Sequence, residues 1–172
     1  MSIRGGPCPK EVGDPPDMMR KRRLRVYADT SVFGGCLDDE FAEDSNAFFN
    51  EIRAGRFTLV VSSVTLRELL DAPEDVRQIL ASMSAESVEN FADCPEIVEL
   101  RDAYIEAGVV GPGSLEDAEH VAAATVADVD MVVSWNFKHI VHFEKINGYH
   151  GVNLIRGYKP VSIYSPREVI ER

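Results

Sequence analysis

Apolar positions change their spacing repeatedly along the chain. Leu24 to Ala28 (LRVYA) is a short apolar run that reads as a strand, and Asp29 stands where it ends, followed by Thr30 and Ser31. From about Glu40 to Ala54, Phe41, Ala42, Ser45, Phe48, Phe49 and Ile52 recur at helical spacing, and Gly55 stops the helix. FTLVVSS, from Phe57, reads as a second strand. A short helix is expected over Thr65–Asp71, and Pro73 is expected in the first turn of another that carries Val76, Ile79, Leu80 and Met83. Residues 84–94 show no clear period. Cys94-Pro95 opens a helix through Ile97, Val98, Leu100, Tyr104 and Ile105 that ends before Gly108. Ser114 is the expected cap of a helix over Leu115–Ala127, with Asp117 as its capping-box partner. DMVVSW is a third strand, and a short helix is expected from Asn136 or Phe137 towards Lys145. SIYSPREVI supplies a late edge strand and a helical turn with Pro166 at its start.

Strands separated by helices imply a parallel sheet covered on both faces, an α/β fold with a three-layer α/β/α sandwich around a central, mainly parallel sheet. At 172 residues the chain suits one domain with a real core. That domain is expected over 24–172. Residues 1–23 hold Gly5, Gly6, Pro7, Pro9, Gly13, Pro15 and Pro16 without periodicity and read as a disordered extension, with Met18 and Met19 as candidate starts. No run approaches the length of a membrane span and no signal-peptide core is visible, so the expected location is cytoplasmic, away from membranes. The three cysteines, Cys8, Cys36 and Cys94, form no CxxC pair, which excludes a zinc cluster or a disulfide framework of the usual kinds.

The formal net charge of −11 opposes long-range attraction to nucleic acid. It is unevenly spread: residues 1–24 hold six basic side chains, the run Arg20 to Arg23 among them, against three acidic ones. Carboxylates gathered around a divalent cation would reverse the sign a phosphate meets locally.

Open parallel sheets bind ligands beyond the carboxyl ends of their strands. Sorting the acids by that rule leaves Asp29 after the first strand, Glu68 one turn into the helix after the second, and Asp117 in the first turn of the Leu115 helix. After DMVVSW the polar group presented is Asn136. Each acid has a plainer reading as a cap or a solvated helix residue; their joint placement favours a site. Three converging carboxylates raise one another's pKa unless a cation neutralises them, and all-oxygen ligation selects Mg²⁺ or Mn²⁺. Around Asn136, Trp135 and Phe137 either stack on a base or pack; His139 and His142 share a face with Asn136 if the segment is helical. His139 could meet phosphate, and His120 could orient Asp117. Asp38, Asp39, Glu40 and Glu43 form an acidic patch suited to a helix N-terminus. No phosphate-binding GxxxxGK[ST] is present, and Asp29 lacks the DxD partner of haloacid-dehalogenase-like phosphatases.

The runs VYADTSVFGG, VVSSVTLRELL and EDAEHVAAATVADVDMVVSWNFKHI, in this order and spacing, resemble the PIN domain family, over about residues 24–170. That family consists typically of small metal-dependent ribonucleases, many of them the toxin half of a toxin–antitoxin pair. The resemblance implies a PIN-like sandwich in which Asp29, Glu68 and Asp117 hold Mg²⁺ or Mn²⁺, with Thr30 and Ser31 steadying a carboxylate or water. Asn136 stands where the family usually has a fourth acid, and would assist through its amide oxygen. It further implies RNA as substrate, products with 5′-phosphate and 3′-hydroxyl ends, an antitoxin partner and a homodimer. The alternative is a PIN-like RNA-binding or protein-interaction module with weak or no catalysis, favoured by Asn136 and the acidic charge.

Overall fold

A computed structural model describes residues 22–171, so most of the expected extension lies outside the described residues. Strands Leu24–Ala28 (β1), Phe57–Val61 (β2), Val88–Asn90 (β3), Met131–Val133 (β4) and Ser162–Tyr164 (β5) pair in parallel as one sheet, in the order β3-β2-β1-β4-β5. The helices are Thr30–Gly35 (α1), Ala42–Arg53 (α2), Ser63–Leu70 (α3), Glu74–Ala81 (α4), Pro95–Glu106 (α5), Leu115–Val126 (α6), Phe143–Ile155 (α7) and Pro166–Val169 (α8).

The period of two along the strands decides which helices cover which face. Val26, Ala28, Leu59, Val61 and Val133 join Val32 and Phe33 of α1 and Phe48, Phe49 and Ile52 of α2 in one core. Tyr27, Val60 and Val132, one residue out of step, join Leu100 and Tyr104 of α5, Val121 to Ala124 of α6 and Tyr149 and Val152 of α7 in the other. Both faces of β1 are therefore buried, which is why LRVYA reads as a continuous apolar run rather than an alternating one. The three-layer sandwich expected from the sequence is the observed architecture. Among the described residues no helix is long and apolar enough to cross a membrane.

Helix α6 is buried from Ala118 to Thr125 without interruption, and its alanines let α5 and the sheet approach closely. Its one buried acid, Glu119, meets Arg67 at 3.0 Å and Arg101 at 3.2 Å. At the amino end of the sheet, Arg25 clasps Glu89 with two hydrogen bonds of 2.9 and 2.6 Å and donates to the carbonyls of Ala127 and Asp128. That ties β1 to β3 and to the end of α6, at the opposite edge from Asp29.

Four sequence expectations change. The 84–94 stretch contains β3, an edge strand of three residues, too short for periodicity to reveal. Pro73 sits at the cap position of α4 rather than in its first turn. Residues 136–142 form turns and not a helix; Asn136 folds back so that its side-chain oxygen accepts the His139 N–H at 2.9 Å, and its carbonyl accepts from Ile140 and Val141. His142 then falls at the cap of α7, so Asn136, His139 and His142 share no helical face. Helix α7 itself runs through NGYHG, a sequence of poor helix formers. Packing overrides propensity there: a Cβ on Gly148 would lie 2.8 Å from Val109 Cγ1, so only glycine lets α7 seat this closely.

Gly35, buried in α1, is held in a similar vice. A Cβ there would lie 2.6 Å from Ser45 Oγ and 2.9 Å from Trp135 Nε1, the two atoms that already hydrogen-bond at 2.8 Å. Gly35→Ala is expected to destabilise the fold by about 1–3 kcal/mol, an overpacking cost that outweighs the helix preference for alanine. Urea unfolding, with a lowered midpoint and unchanged slope, checks this.

Candidate functional site

The strand order turns back on itself between β1 and β4, and the carboxyl edge of an open parallel sheet at such a point is where a ligand crevice forms. Asp29 follows β1 directly, and its backbone N–H reaches across to the Val133 carbonyl at 3.3 Å. It occupies the cap position of α1 but its side chain makes no capping bond. Instead the carboxylate, 4% exposed, accepts from Ser31 Oγ through Oδ1 at 2.5 Å and from Ser134 Oγ through Oδ2 at 2.9 Å. Ser31 also accepts the Trp135 N–H at 2.9 Å, and Ser134 accepts the Asn136 N–H at 2.9 Å. Two hydroxyls thereby pin both oxygens of Asp29 and the first turn of the chain after β4.

Glu68, half-buried on α3, accepts from Thr30 Oγ1 and from His120 Nε2, both at Oε2, the latter at 2.9 Å. Thr30 neighbours Asp29, so the hydroxyl pair predicted to steady one acid in fact serves two: Ser31 holds Asp29 and Thr30 holds Glu68. His120 lies against Glu68, and the hydrogen bond to Asp117 that their spacing allowed is not the one it makes. Asp117 does not close a capping box with Ser114, whose side chain makes no capping bond. It accepts from Asn136 Nδ2 at 2.8 Å.

Asn136 therefore works differently from the expectation. A backbone N–H can only donate, so the atom it meets is the amide oxygen, and the NH₂ group is the one turned to Asp117. The amide oxygen is committed to the turn. Half-buried His139 adds favourable charge near Asp117, while Phe137 and Lys138 are exposed beside it. Trp135 is buried, stacked on Phe41 at 4.4 Å and bonded to Ser45, which commits it to packing. Cys36 is buried and burial pushes its thiol up to about 11, so it is no reactive thiolate. The hydroxyl of Ser134, which composition and spacing did not single out, is the link that sequence reading missed; its place one residue after a strand was the available signal.

Electrostatics divides the acids. Burial holds the Asp29 carboxyl above the ordinary carboxylate range, with Glu68 adding to the shift and His120 and the two serines opposing it. Burial likewise raises Asp117, again with Glu68 contributing, against the pull of His139, His120 and Asn136. Burial also works to raise Glu68, but the hydrogen bonds from His120 and Thr30 carry it below the ordinary range. Burial disfavours the charged form of His120, yet Tyr27, Glu68 and Asp29 together raise its pKa. Glu68 is thus electrostatically coupled to both aspartates.

All the oxygens concerned are hard donors, and the raised aspartates would be relieved by a positive charge, so the donor set suits Mg²⁺ or Mn²⁺ in its chemistry. Among the described residues, no three His, Cys, Asp or Glu side chains already stand together as a complete metal-binding group. Asp29 and Asp117 are joined through Ser134 and Asn136, Glu68 is held through Thr30 and His120, and a cation would have to draw the three carboxylates together.

No protein-family model matches the chain, and no curated protein sequence matches it. Its fold is similar to that in the crystal structure of VapBC2 from Rickettsia felis bound to a DNA fragment from their promoter, with a TM-score of 0.51 and 13% sequence identity. The match covers 83% of this chain and 98% of that one. At this identity the likeness is one of fold.

A carboxyl whose folded pKa lies above its unfolded value contributes its full stability at low pH and loses it as pH rises through the raised value. At neutral pH the charged Asp29 is therefore a net cost to the folded state. Asp29→Asn is expected to raise the thermal unfolding midpoint of the metal-free protein at neutral pH, by about 2–4 °C for each kcal/mol relieved. The gain should shrink as pH falls into the carboxylate range. Calorimetry across pH tests it; a lower midpoint for the variant at neutral pH would contradict the burial argument.

Proposed function

We propose that this protein is a metal-dependent ribonuclease, the toxin component of a toxin–antitoxin pair, that hydrolyses RNA phosphodiester bonds. The observation that supports this reading most is that two hydrogen-bonded groups meet at the neighbouring residues Asp29 and Thr30: Asp29 runs through Ser134 and Asn136 to Asp117, and Thr30 holds Glu68, which His120 also meets. The fold shared with VapBC2 agrees with it, and so does the ordered set of sequence runs that resembles the PIN domain family.

Asp29, Glu68 and Asp117 would hold Mg²⁺ or Mn²⁺. Such an ion, when bound, polarises a phosphodiester and lowers the pKa of water. The chain's own groups do the arranging. Ser31 and Ser134 keep Asp29 in one rotamer, and Thr30 fixes Glu68 relative to Asp29. Asn136 contributes a hydrogen-bond donor to Asp117 in place of a fourth charge, which lowers the repulsion among the acids. Exposed Lys138 would meet the phosphates of an incoming strand with its charge, half-buried His139 with a ring N–H, and exposed Phe137 offers a face for a base. An antitoxin would act by covering this crevice.

Incubation of 5′-labelled RNA with the protein and Mn²⁺ is expected to give products with 5′-phosphate and 3′-hydroxyl ends. Asp29→Asn should lose at least about 100-fold in rate while retaining its fold, a loss on the scale of removing a principal electrostatic group. Equal cleavage by the variant would remove Asp29 from the chemistry. Binding of RNA and Mn²⁺ without cleavage would favour the module reading, to which Asn136 and the net charge of −11 lend weight.

Replacing the donor at 136 separates the two roles of that position. Asn136→Asp sets a like charge beside Asp117, so the metal-free protein should melt at a lower temperature, while the stabilisation gained from saturating Mn²⁺ should grow relative to the parent. Melting curves with and without Mn²⁺ read both effects.

A further inference from the structure

Behind Glu68 lies a chain of polar groups with no part in the chemistry just described. Tyr27, at the centre of β1, and His120, on α6, are 0% and 2% exposed, against a core face built largely of aliphatic and aromatic side chains. The Tyr27 hydroxyl lies 2.7 Å from His120 Nδ1, 2.8 Å from Ser62 Oγ and 3.1 Å from Thr65 Oγ1. The two rings meet edge to face, with centroids 5.8 Å apart. His120 Nε2 then reaches Glu68 Oε2 at 2.9 Å. An ionised carboxylate only accepts, so Nε2 carries the proton. Thr30 donates to the same Oε2. Both donors fall on one oxygen, and among the described residues no hydrogen bond reaches Oε1.

A phenylalanine and a leucine would fill the space of Tyr27 and His120 without having to satisfy three buried polar atoms. The polar pair instead links the core to one oxygen of a half-buried acid. We propose that Tyr27 and His120 are positioning residues, which hold Glu68 so that Oε1 is the atom presented to a divalent cation in the crevice. This is the arrangement by which partners behind a ligand carboxylate orient it and tune its affinity. The proposal rests on the reading of Glu68 as a metal-facing carboxylate.

The test is titration of the full chain with Mn²⁺, free ion being counted by electron paramagnetic resonance, alongside thermal unfolding of each variant. His120→Leu should raise the Kd for Mn²⁺ by about 10- to 100-fold. His120→Gln, whose amide nitrogen can reach the position of Nε2 and donate, should stay within about threefold of the parent, and Tyr27→Phe should weaken binding by about 3- to 10-fold. Rescue by glutamine at matched thermal stability is the result a merely space-filling role would not produce. Parent-like Mn²⁺ binding by His120→Leu, or by Tyr27→Phe should the leucine variant not fold, overturns the proposal; so does a glutamine variant that folds normally and binds as weakly as the leucine one. Glu68→Gln is the control on the underlying reading: if it binds Mn²⁺ like the parent, Glu68 is no ligand and the nuclease reading fails with it.

Discussion

The structure turns on one carboxylate, Asp29, buried at the end of the central strand. Removing such a group from water is costly unless its oxygens are met, and here each is met by a single hydroxyl. Those hydroxyls come from two places: Ser31 in the first turn of α1, and Ser134 just after β4. Satisfying Asp29 therefore fixes the relation between the exits of the two strands that flank the crevice. The same serines receive the backbone N–H groups of Trp135 and Asn136, so the post-β4 chain is registered to the acid it serves.

From that anchor one hydrogen-bonded path leads to Asp117, and one step along the chain, to Thr30, begins a second. Ser134 leads to Asn136, and Asn136 to Asp117; Thr30, next to Asp29, leads to Glu68, and Glu68 to His120 and Tyr27. Buried polar networks of this kind are worth having only when every member is satisfied, and among the described residues no buried side-chain polar atom lacks a partner. The price is paid in charge: Asp29 and Asp117 are held above their ordinary range, while Glu68, with its two donors on one oxygen, is held below.

Much of this was legible in the chain. The exits of strands are where a parallel sheet gathers its acids, so Asp29, Glu68 and Asp117 could be picked out by position, and β1, α2 and α6 by their spacing. What escaped was set by tertiary contact. Edge strand β3 owes its existence to pairing with β2, as Leu59 to Val88 and onward, and three residues carry no period. Helix α7 survives its glycines because one of them faces Val109. The turn at 136–142 and the reversal of Asn136's amide depend on a backbone N–H that only a folded chain brings within reach. Sequence proximity offered Asp117 as one partner for His120, whereas α3 packed against α6 gives it Glu68, fifty-two residues away.

The acid balance of the chain follows the same logic. A net charge of −11 repels a polyanion at long range, yet the repulsion that matters to a phosphodiester is that of the few groups within a Debye length of the crevice. There, Asp29 and Asp117 are raised by burial, an amide stands at position 136 against Asp117, and His120 lies against Glu68. Burial thus works against the full negative charge of two of the site's three carboxylates. On the proposed reading that moderation has a cost as well as a use: fewer fixed charges ease the approach of RNA and weaken the hold on a second cation, which ties both affinities to the single residue at position 136.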